Sequence, residues 1–499
     1  MDPLPIFETQ LKTLCLELIV DNFDSKHLKF YSGRWNEITE ESRPNFGPFG
    51  CQTKRLPCND DTDYTPLDCN TIELISKRCP KFEMLHYHKD LGIGIQYDHF
   101  DVCKVINRSI HRLKHLREIS FRDFFVENDT IRIITLNCPH LKELNLRDTD
   151  LSDKALNYLY DDESVVKYSL SKLIIDGTVV SVESVAQCLL KLKNLTYFLS
   201  DETIQACLRI FEEKSDSLRN FEFPAFRGSL YSENERLLNH EFLEWFTQKF
   251  IKVNHVIFVA IFEKSKSIVT RIVRSWRNIT HLELFSCDLC RDSFSQLKPA
   301  FDCCKETLLN LKLEAFVKVD IPYLGRVLKR LRKISLYNNS YLKTDVIQPF
   351  ENLKEVEIIL ISVSFEVGRF KKNLRNMHLN HNSLLSIFKS KYIEKAFIYG
   401  QSRFTNRFML TLLKLDYLRN IKELNLFSCP ISIKSLWELF ERGIPIKKIV
   451  IGFCPFIRVS EINELSVYIK ENNYGASISA SMEIPYHLKS ILKNMELID

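Results

Sequence analysis

Short stretches in which apolar and polar residues alternate recur along most of the chain. Leu141, Leu144 and Leu146 form one of them, and the polar residues Glu143, Asn145 and Arg147 point the other way. This alternation predicts a short β-strand with one apolar side. Ser152 then precedes residues 153–160, where apolar residues return at helical spacing, so it predicts the N-cap of a helix. The stretch is therefore one strand–turn–helix unit.

The same unit returns at irregular intervals of roughly 20–35 residues. Other copies of the strand pattern begin at Leu116, Leu170, Leu218, Val253, Ile279, Leu308, Leu331, Leu353, Leu374, Ile393, Ile421 and Ile446. The copies near Phe82 and Leu195 are weaker. One unit alone cannot cover its apolar side, whereas stacked units cover one another. The pattern predicts an α/β solenoid in which each strand lies parallel to the next.

A small or amide side chain follows several predicted strands at the same distance. Three residues after the last apolar strand residue lie Cys287, Asn339, Asn382, Cys429 and Cys454. A turn at this point buries backbone groups that need hydrogen-bond partners, and Asn supplies both a donor and acceptors. Cys is a smaller and weaker substitute. We expect these side chains to lie inside the turns.

Together these features resemble the leucine-rich-repeat superfamily. The cysteine-containing copies are similar to the ribonuclease-inhibitor-like group found in F-box/LRR proteins, and the resemblance covers roughly residues 71–474. It implies a leucine-rich-repeat right-handed αβ solenoid, or horseshoe, with a concave parallel β-sheet and an N-terminal helical cap.

The N-terminal segment predicts a separate amphipathic helix over residues 9–22. Its apolar stripe consists of Leu11, Leu14, Cys15, Leu18 and Ile19. Residues 10–25 resemble the BC-box helix of the ZYG-11/ZER-1 family, which implies docking on elongin C, as part of elongin B/C with a cullin. A shortened F-box between residues 4 and 35 is an alternative and would imply a Skp1–cullin partner. The third interpretation is a plain cap on the open end of the solenoid.

The predicted domain organisation has four parts. Residues 1–35 form the helical adaptor-docking or cap element, and residues 36–70, rich in Pro, Gly, Asn and Asp, form a linker. Residues 71–475 form the solenoid, and residues 476–499 form a C-terminal cap.

Side chains at the ends of the predicted strands indicate a binding surface. The row just past the last apolar strand residue changes from charged copies, such as Arg122, Arg147 and Asp176, to aromatic ones. Aromatic residues on a concave surface are typical anchors of protein interfaces. The predicted protein-binding residues, which include polar neighbours, are Phe285, Lys333, Tyr337, Ile359, His378, Tyr399, Asn425 and Phe427. The alternative is that several rings fold into the turns between repeats.

Composition excludes some function classes. The chain has 499 residues and a net charge of +5, from 69 basic and 64 acidic residues, so no general nucleic-acid-binding or membrane-binding field is expected. The first residues lack a secretory signal, and no apolar run reaches the roughly 20 residues that span a bilayer. An odd count of 15 cysteines favours a reduced cytoplasmic or nuclear protein. We expect no metal and no cofactor.

Two cysteine groups and several short motifs are candidates for chemistry. One group, Cys51, Cys58, Cys69 and Cys79 near His86 and His88, is too loosely spaced to favour a zinc site. Cys287, Cys290, Cys303 and Cys304 could supply four zinc ligands, but core packing is the favoured interpretation. The sequence contains no phosphate-binding loop and no nucleophile elbow, and Gly92-Ile93-Gly94 lacks a third glycine. We therefore expect a non-enzymatic protein. The resemblances to the BC-box helix and to F-box/LRR proteins imply that it is the substrate-recognition subunit of a cullin–RING ubiquitin ligase. The alternative is a binding or inhibitor scaffold without a ligase role.

Overall fold

The computed structural model describes residues 73, 76–77, 83–86, 99–213, 219–230, 237, 239–262, 265–287, 294–361 and 377–481. The chain divides into two compact units, Met1–Phe223 and Pro224–Asp499. The predicted adaptor helix, the linker and residues 482–499 lie outside the described residues.

The first unit contains a parallel sheet of five short strands in sequential order. The strands are β1 (Met84–His86), β2 (Glu118–Ser120), β3 (Glu143–Asn145), β4 (Lys172–Ile174) and β5 (Tyr197–Leu199). The described helices of this unit are α1 (His99–Ser109), α2 (Asn128–Asn137), α3 (Asp153–Tyr160), α4 (Val182–Lys191) and α5 (Thr203–Glu212). The two weak copies, near Phe82 and Leu195, therefore do form strands, β1 and β5.

The second unit contains a parallel sheet of ten strands, again in sequential order. They are β6 (Ala225–Ser229), β7 (His255–Ile261), β8 (His281–Ser286), β9 (Asn310–Glu314), β10 (Lys333–Tyr337), β11 (Glu355–Ile359), β12 (Lys395–Tyr399), β13 (Glu423–Phe427), β14 (Lys448–Gly452) and β15 (Ser477–Ala480). Its described helices are α6 (His240–Lys249), α7 (Lys266–Ser275), α8 (Lys298–Cys304), α9 (Ile321–Val327), α10 (His381–Phe388), α11 (Asn406–Lys414), α12 (Ile433–Glu441) and α13 (Val459–Glu471).

Alternation along each strand decides which side chains enter the core. In β10 the second and fourth residues, Ile334 and Leu336, are fully buried on the helix side of the sheet. The first, third and fifth residues point the other way, to the side that we call the open face. Leu331, just before the strand, is also fully buried, so the repeated Leu-x-x-Leu-x-Leu pattern supplies the core. Both units are thus leucine-rich-repeat αβ solenoids, as predicted.

A left-handed backbone turn ends many strands. Asp148, Asn338 and Gly400 follow β3, β10 and β12 with φ values of 54°, 51° and 71°. Asn and Asp tolerate this conformation better than most residues, and glycine adopts it freely. At Gly400 a Cβ atom would lie 2.0 Å from the carbonyl oxygen of Leu360, so only glycine lets the two turns approach.

The amide side chain predicted to lie inside a turn does so at Asn339. It is fully buried, its Oδ1 accepts the Phe316 N–H at 2.8 Å, and its Nδ2 donates to the Leu313 carbonyl at 2.8 Å. Both partners belong to the preceding repeat. Cys429 and Cys454 are buried at the same position, and the Cys454 thiol lies 3.5 Å from the Leu426 carbonyl oxygen. Cys287, at the equivalent position after β8, is exposed, so the prediction is wrong there.

Two copies of the repeat depart from their predicted form. Strand β11 pairs directly with β12, and residues 377–380 are not in a strand, so the copy that begins at Leu374 adds none there. Asn382, predicted to lie inside a turn, is instead in the first turn of α10. The strand predicted from the Leu218 copy starts later, at Ala225, which leaves Pro224 in front of β6 rather than at its end.

No helix in the described ranges combines the length and the apolar character needed to cross a bilayer.

Candidate binding surface on the ten-stranded sheet

Parallel pairing in register aligns equivalent residues of the open face into rows. Lys333 of β10 is opposite Glu355 of β11, which is opposite Lys395 of β12. The first row, read across eight strands, is His255, His281, Asn310, Lys333, Glu355, Lys395, Glu423 and Lys448. All eight side chains are partly or fully accessible. A partner can therefore reach this charged row of the open face.

Glu357, at the middle position of β11 on the open face, accepts hydrogen bonds from three side chains. Its carboxylate accepts Lys333 Nζ at 3.2 Å, Ser335 Oγ at 2.5 Å and Tyr337 Oη at 2.9 Å. Burial raises the pKa of Glu357, but attraction to Lys333 and the three hydrogen bonds outweigh it and hold the pKa below its usual value. Glu357 is therefore charged and fixes three side chains of the neighbouring strand, β10.

A second carboxylate, Glu283, lies beside two histidines. His255 Nε2 is 3.0 Å from Glu283 Oε1, and the rings of His255 and His281 have centroids 5.3 Å apart. Burial lowers the pKa of His281, and the proximity of His255 lowers it further, so the second ring resists a positive charge. The pKa of Glu283 is raised by burial and lowered more by the His255 hydrogen bond and by Lys312.

The Lys312 ammonium lies between two aromatic rings of the open face. Its Nζ is 4.5 Å from the ring centroid of Phe285 and 4.5 Å from that of Tyr337. It also lies 3.5 Å from Glu314 Oε2. Burial raises the pKa of Glu314 in spite of this cation. Because cation–π and ionic contacts hold Lys312 at once, its position is strongly determined.

Several of the predicted anchor residues form a buried group. This open-face cluster consists of Tyr337, Ile359, Ile361, Phe397 and Phe427. Tyr337, Ile359 and Phe427 expose 6%, 1% and 2% of their surface. The rings of Phe397 and Phe427 stack with centroids 5.4 Å apart. These residues are a second small core, so they are not free anchors for a partner.

The other predicted residues differ in accessibility and position. Phe285, Lys333, Tyr399 and Asn425 are partly accessible on the open face, where they were predicted. The buried Oδ1 of Asn425 has no hydrogen-bond partner among the described residues. His378 does not lie on the sheet, because its copy forms no strand, and its Nδ1 accepts the Ser402 N–H at 3.3 Å instead.

Four residues at the third position of their strands also lie on the open face and were not predicted. Glu283, Lys312 and Glu357 organise its contacts, and Phe397 completes the cluster. All four lie between the two apolar residues of their strand. Their outward direction could have been predicted from the sequence, because every position between two core residues of a strand must face outward.

The charged end row of the first unit also forms contacts of its own. Arg147 Nε lies 3.1 Å from Asp176 Oδ2 and 3.3 Å from Asp148 Oδ2. Asp176 exposes only 1% of its surface. This part of the predicted row therefore holds adjacent repeats together.

The candidate zinc ligands lie in different environments. Cys287 and Cys303 are exposed, Cys304 is buried on α8, and Cys290 lies outside the described residues. Within the described ranges no group of three or more His, Cys, Asp or Glu side chains is arranged to hold a metal ion.

Comparison with known proteins gives structural likeness only. No family model and no curated protein matches the chain. The chain is similar to a structure of the yeast Rad7 and Elc1 complex, at 11% identity, over 79% of this chain and 90% of that one, with a TM-score of 0.45. It is also similar to the TLR13–ssRNA13 complex, at 14% identity, over 70% and 56% of the two chains, with a TM-score of 0.33.

A protein from Bacteroides fragilis is similar at 13% identity, over 52% of this chain and 83% of that one, with a TM-score of 0.22. All three TM-scores, 0.45, 0.33 and 0.22, are low.

Proposed function

We propose that the chain is a protein-recognition scaffold whose binding surface is the accessible part of the open face of the ten-stranded sheet. The observation that carries the proposal is the continuous first row, in which Lys333, Glu355, Lys395 and Glu423 alternate in charge across four paired strands. Such a patterned, sheet-wide surface selects a partner with complementary charges.

The ion pairs within this row contribute little to folding. Lys395 Nζ is 3.5 Å from Glu423, and Lys333 Nζ is 3.8 Å from Glu355, with all four side chains about 35% exposed or more. Exposed pairs of this kind stabilise a protein by roughly 0–1 kcal/mol. Their regular order is therefore better explained by recognition than by stability.

Two aromatic side chains and one amide add contacts of other kinds. Phe285 and Tyr399 are partly accessible at the fifth position of β8 and β12, at the other end of these strands from the charged row, and aromatic residues on such a face anchor protein interfaces. The partly accessible amide of Asn425, at the third position of β13, adds a polar group to the same face.

The finer role that we propose is the substrate-recognition subunit of a cullin–RING ubiquitin ligase. The support for it is the resemblance of residues 10–25 to an elongin C-binding helix, with Leu11, Leu14, Cys15, Leu18 and Ile19 as the docking stripe. In this role the chain catalyses nothing and acts by holding its target near the transfer enzyme. A binding or inhibitor scaffold without an adaptor is the second candidate.

The adaptor part is tested separately. The full chain is incubated with purified elongin B/C and with purified Skp1, and retention is compared with that of Leu11→Ser/Cys15→Ser. We expect elongin B/C to be retained by the wild type and lost in the variant. Retention of neither adaptor, or retention that the variant does not change, contradicts the ligase role.

The binding surface is tested with two double variants of matched composition. Lys395→Glu/Tyr399→Ala changes the open face of β12, whereas Lys414→Glu/Tyr392→Ala changes exposed positions at the end of α11 and in the turn before β12. Proteins captured from cell extract are quantified by mass spectrometry. We expect the first variant to lose at least one partner that wild type and the second variant both retain. Equal loss in both variants, or in neither, contradicts the assignment of the surface.

A further inference from the structure

A small pocket lies where strands β10 and β12 end. Its volume is about 320 Å³, and its described walls come from the turn after β10, from the turn after β12 and from residues 378 and 380. Parallel strands end at the same edge of a sheet, so these three segments meet although they are distant in sequence. The pocket lies within the second unit and apart from the charged first row of the open face.

The charged residues of this pocket are all basic. Lys343 comes from the first turn and Arg403 from the second, and both side chains are exposed. Neither makes an ion pair with a described residue, and no Asp or Glu is among the described residues that line the pocket. Elsewhere in this unit cations such as Lys333 and Lys422 are neutralised by carboxylates 3.2 Å and 2.7 Å away.

His378 supplies a neutral donor to the same pocket. Its Nδ1 accepts the Ser402 N–H at 3.3 Å, so the proton of the neutral ring is on Nε2. Burial lowers the pKa of His378, and repulsion from Arg403 lowers it further. At neutral pH the imidazole therefore offers one N–H group and no charge.

Helix α10 begins at the same pocket. Its N-cap is Asn380, whose Oδ1 accepts the Ser383 N–H at 2.7 Å and whose Nδ2 donates to the Thr344 carbonyl at 3.2 Å. Because Asn380 lines the pocket, the positive end of the helix dipole adds to the two cations. The environment therefore favours an anion with several acceptor oxygens.

We propose that this pocket binds the phosphate group of a phosphorylated serine or threonine of a partner protein. The inference rests on the proposed protein-binding function and deepens it. A phosphate monoester carries close to two negative charges and three acceptor oxygens, which match Lys343, Arg403 and the His378 N–H. Tyr341 and Leu342 form an apolar wall that an attached peptide can contact and a free phosphate ion cannot.

The test measures binding of three probes to the full chain by isothermal titration calorimetry. The probes are the tripeptide acetyl-Ala-phosphoSer-Ala-amide, its unphosphorylated form and inorganic phosphate. We expect saturable binding of the phosphorylated tripeptide, at least threefold tighter than that of inorganic phosphate, and no binding of the serine form. Equal affinity for inorganic phosphate and the phosphorylated tripeptide overturns the assignment to a phosphorylated side chain.

Variants identify the pocket as the site. We expect Lys343→Ala/Arg403→Ala to weaken binding of the phosphorylated tripeptide at least tenfold, and His378→Gln to weaken it by a smaller factor. The control Lys414→Ala/Lys434→Ala removes the same charge from exposed helix positions and is expected to bind as the wild type does. Absence of binding by the wild type, or equal weakening in the control, overturns the proposal.

Circular dichroism confirms that each variant is folded before titration. No partner protein is needed in this experiment, so its failure leaves the charged first row and the capture experiment untouched. Conversely, loss of the proposed partner binding on the open face leaves phosphate binding at the pocket measurable.

Discussion

The two sheets are built from the same repeat but differ in how the backbone groups of their turns are hydrogen-bonded. In the first unit the Thr149 hydroxyl donates at 2.7 Å to the Leu146 carbonyl of its own repeat, and Thr178 donates at 2.6 Å to Ile175 in the same way. In the second unit Asn339 bonds two backbone groups of the preceding repeat. A local bond shapes one turn, whereas the amide connects two repeats.

The open faces of the two sheets differ as well. The first unit presents mainly polar residues there, such as Glu118, Glu143 and Lys172, with a Lys172–Glu143 ion pair of 2.9 Å. The second unit buries the open-face cluster on the same side of its sheet. The comparison teaches that an outward position in this repeat is not always a surface position, since a row of aromatic residues can form its own core.

The largest effect is expected from Phe427→Ala. The ring exposes 2% of its surface and stacks on Phe397, so its removal should cost about 3–5 kcal/mol, as in an ordinary core. Urea unfolding followed by circular dichroism measures the change. The control Tyr168→Ala, at a ring that is 74% exposed in the first unit, should stay within about 0.5 kcal/mol. If the two variants lose similar stability, the cluster is not a core.

The second prediction contrasts the two kinds of turn. Asn339→Thr cannot satisfy the Phe316 N–H and the Leu313 carbonyl together, because a hydroxyl reaches less far. We expect a loss of about 2–4 kcal/mol, since each buried unsatisfied group costs roughly 1–3 kcal/mol. Thr149→Val in the first unit leaves one carbonyl unpaired, and about 1 kcal/mol is expected. Equal losses in the two variants would contradict the distinction between local and inter-repeat turns.

The repeat architecture was predictable because core spacing is local in sequence. Leu331, Ile334 and Leu336 show their strand by spacing alone, and all three are fully buried. Met377 and Leu379 have the same spacing, yet they form no strand, and β11 pairs directly with β12. Strand pairing depends on competition between segments, and the spacing of apolar residues does not show which segment wins. The same limit explains why His378 was placed on the sheet.

The candidate site was predictable only in part for a different reason. The position of Tyr337 on the open face follows from alternation, but its burial depends on Ile359, Phe397 and Phe427 in other repeats. The register that aligns these residues is a property of the stacked strands. The sequence of a single repeat therefore does not show which residues of other repeats will lie beside it.

The third prediction concerns the pH dependence given by Glu357. Its pKa in the folded protein lies below the ordinary value of 4.5, so its contribution is fully present above that pH and is lost as the pH falls through the folded value. Glu357→Gln should therefore cost about 1–2 kcal/mol at pH 7, with the difference from wild type shrinking below pH 4.5. Urea unfolding at pH 7, 5, 4 and 3 measures it. A difference that stays constant with pH would show that the charge of Glu357 does not stabilise the fold.

The smallest effect is expected at the charged first row, where stability and recognition separate. Lys395 lies 3.5 Å from Glu423, and both side chains are more than one third exposed. Lys395→Ala should therefore change the free energy of unfolding by only about 0.2–1 kcal/mol, and high salt should remove most of that difference. Urea unfolding at low and at high salt measures both quantities. A loss of several kcal/mol would mean that the row is structural, and the argument that its alternating charges serve a partner would then fail.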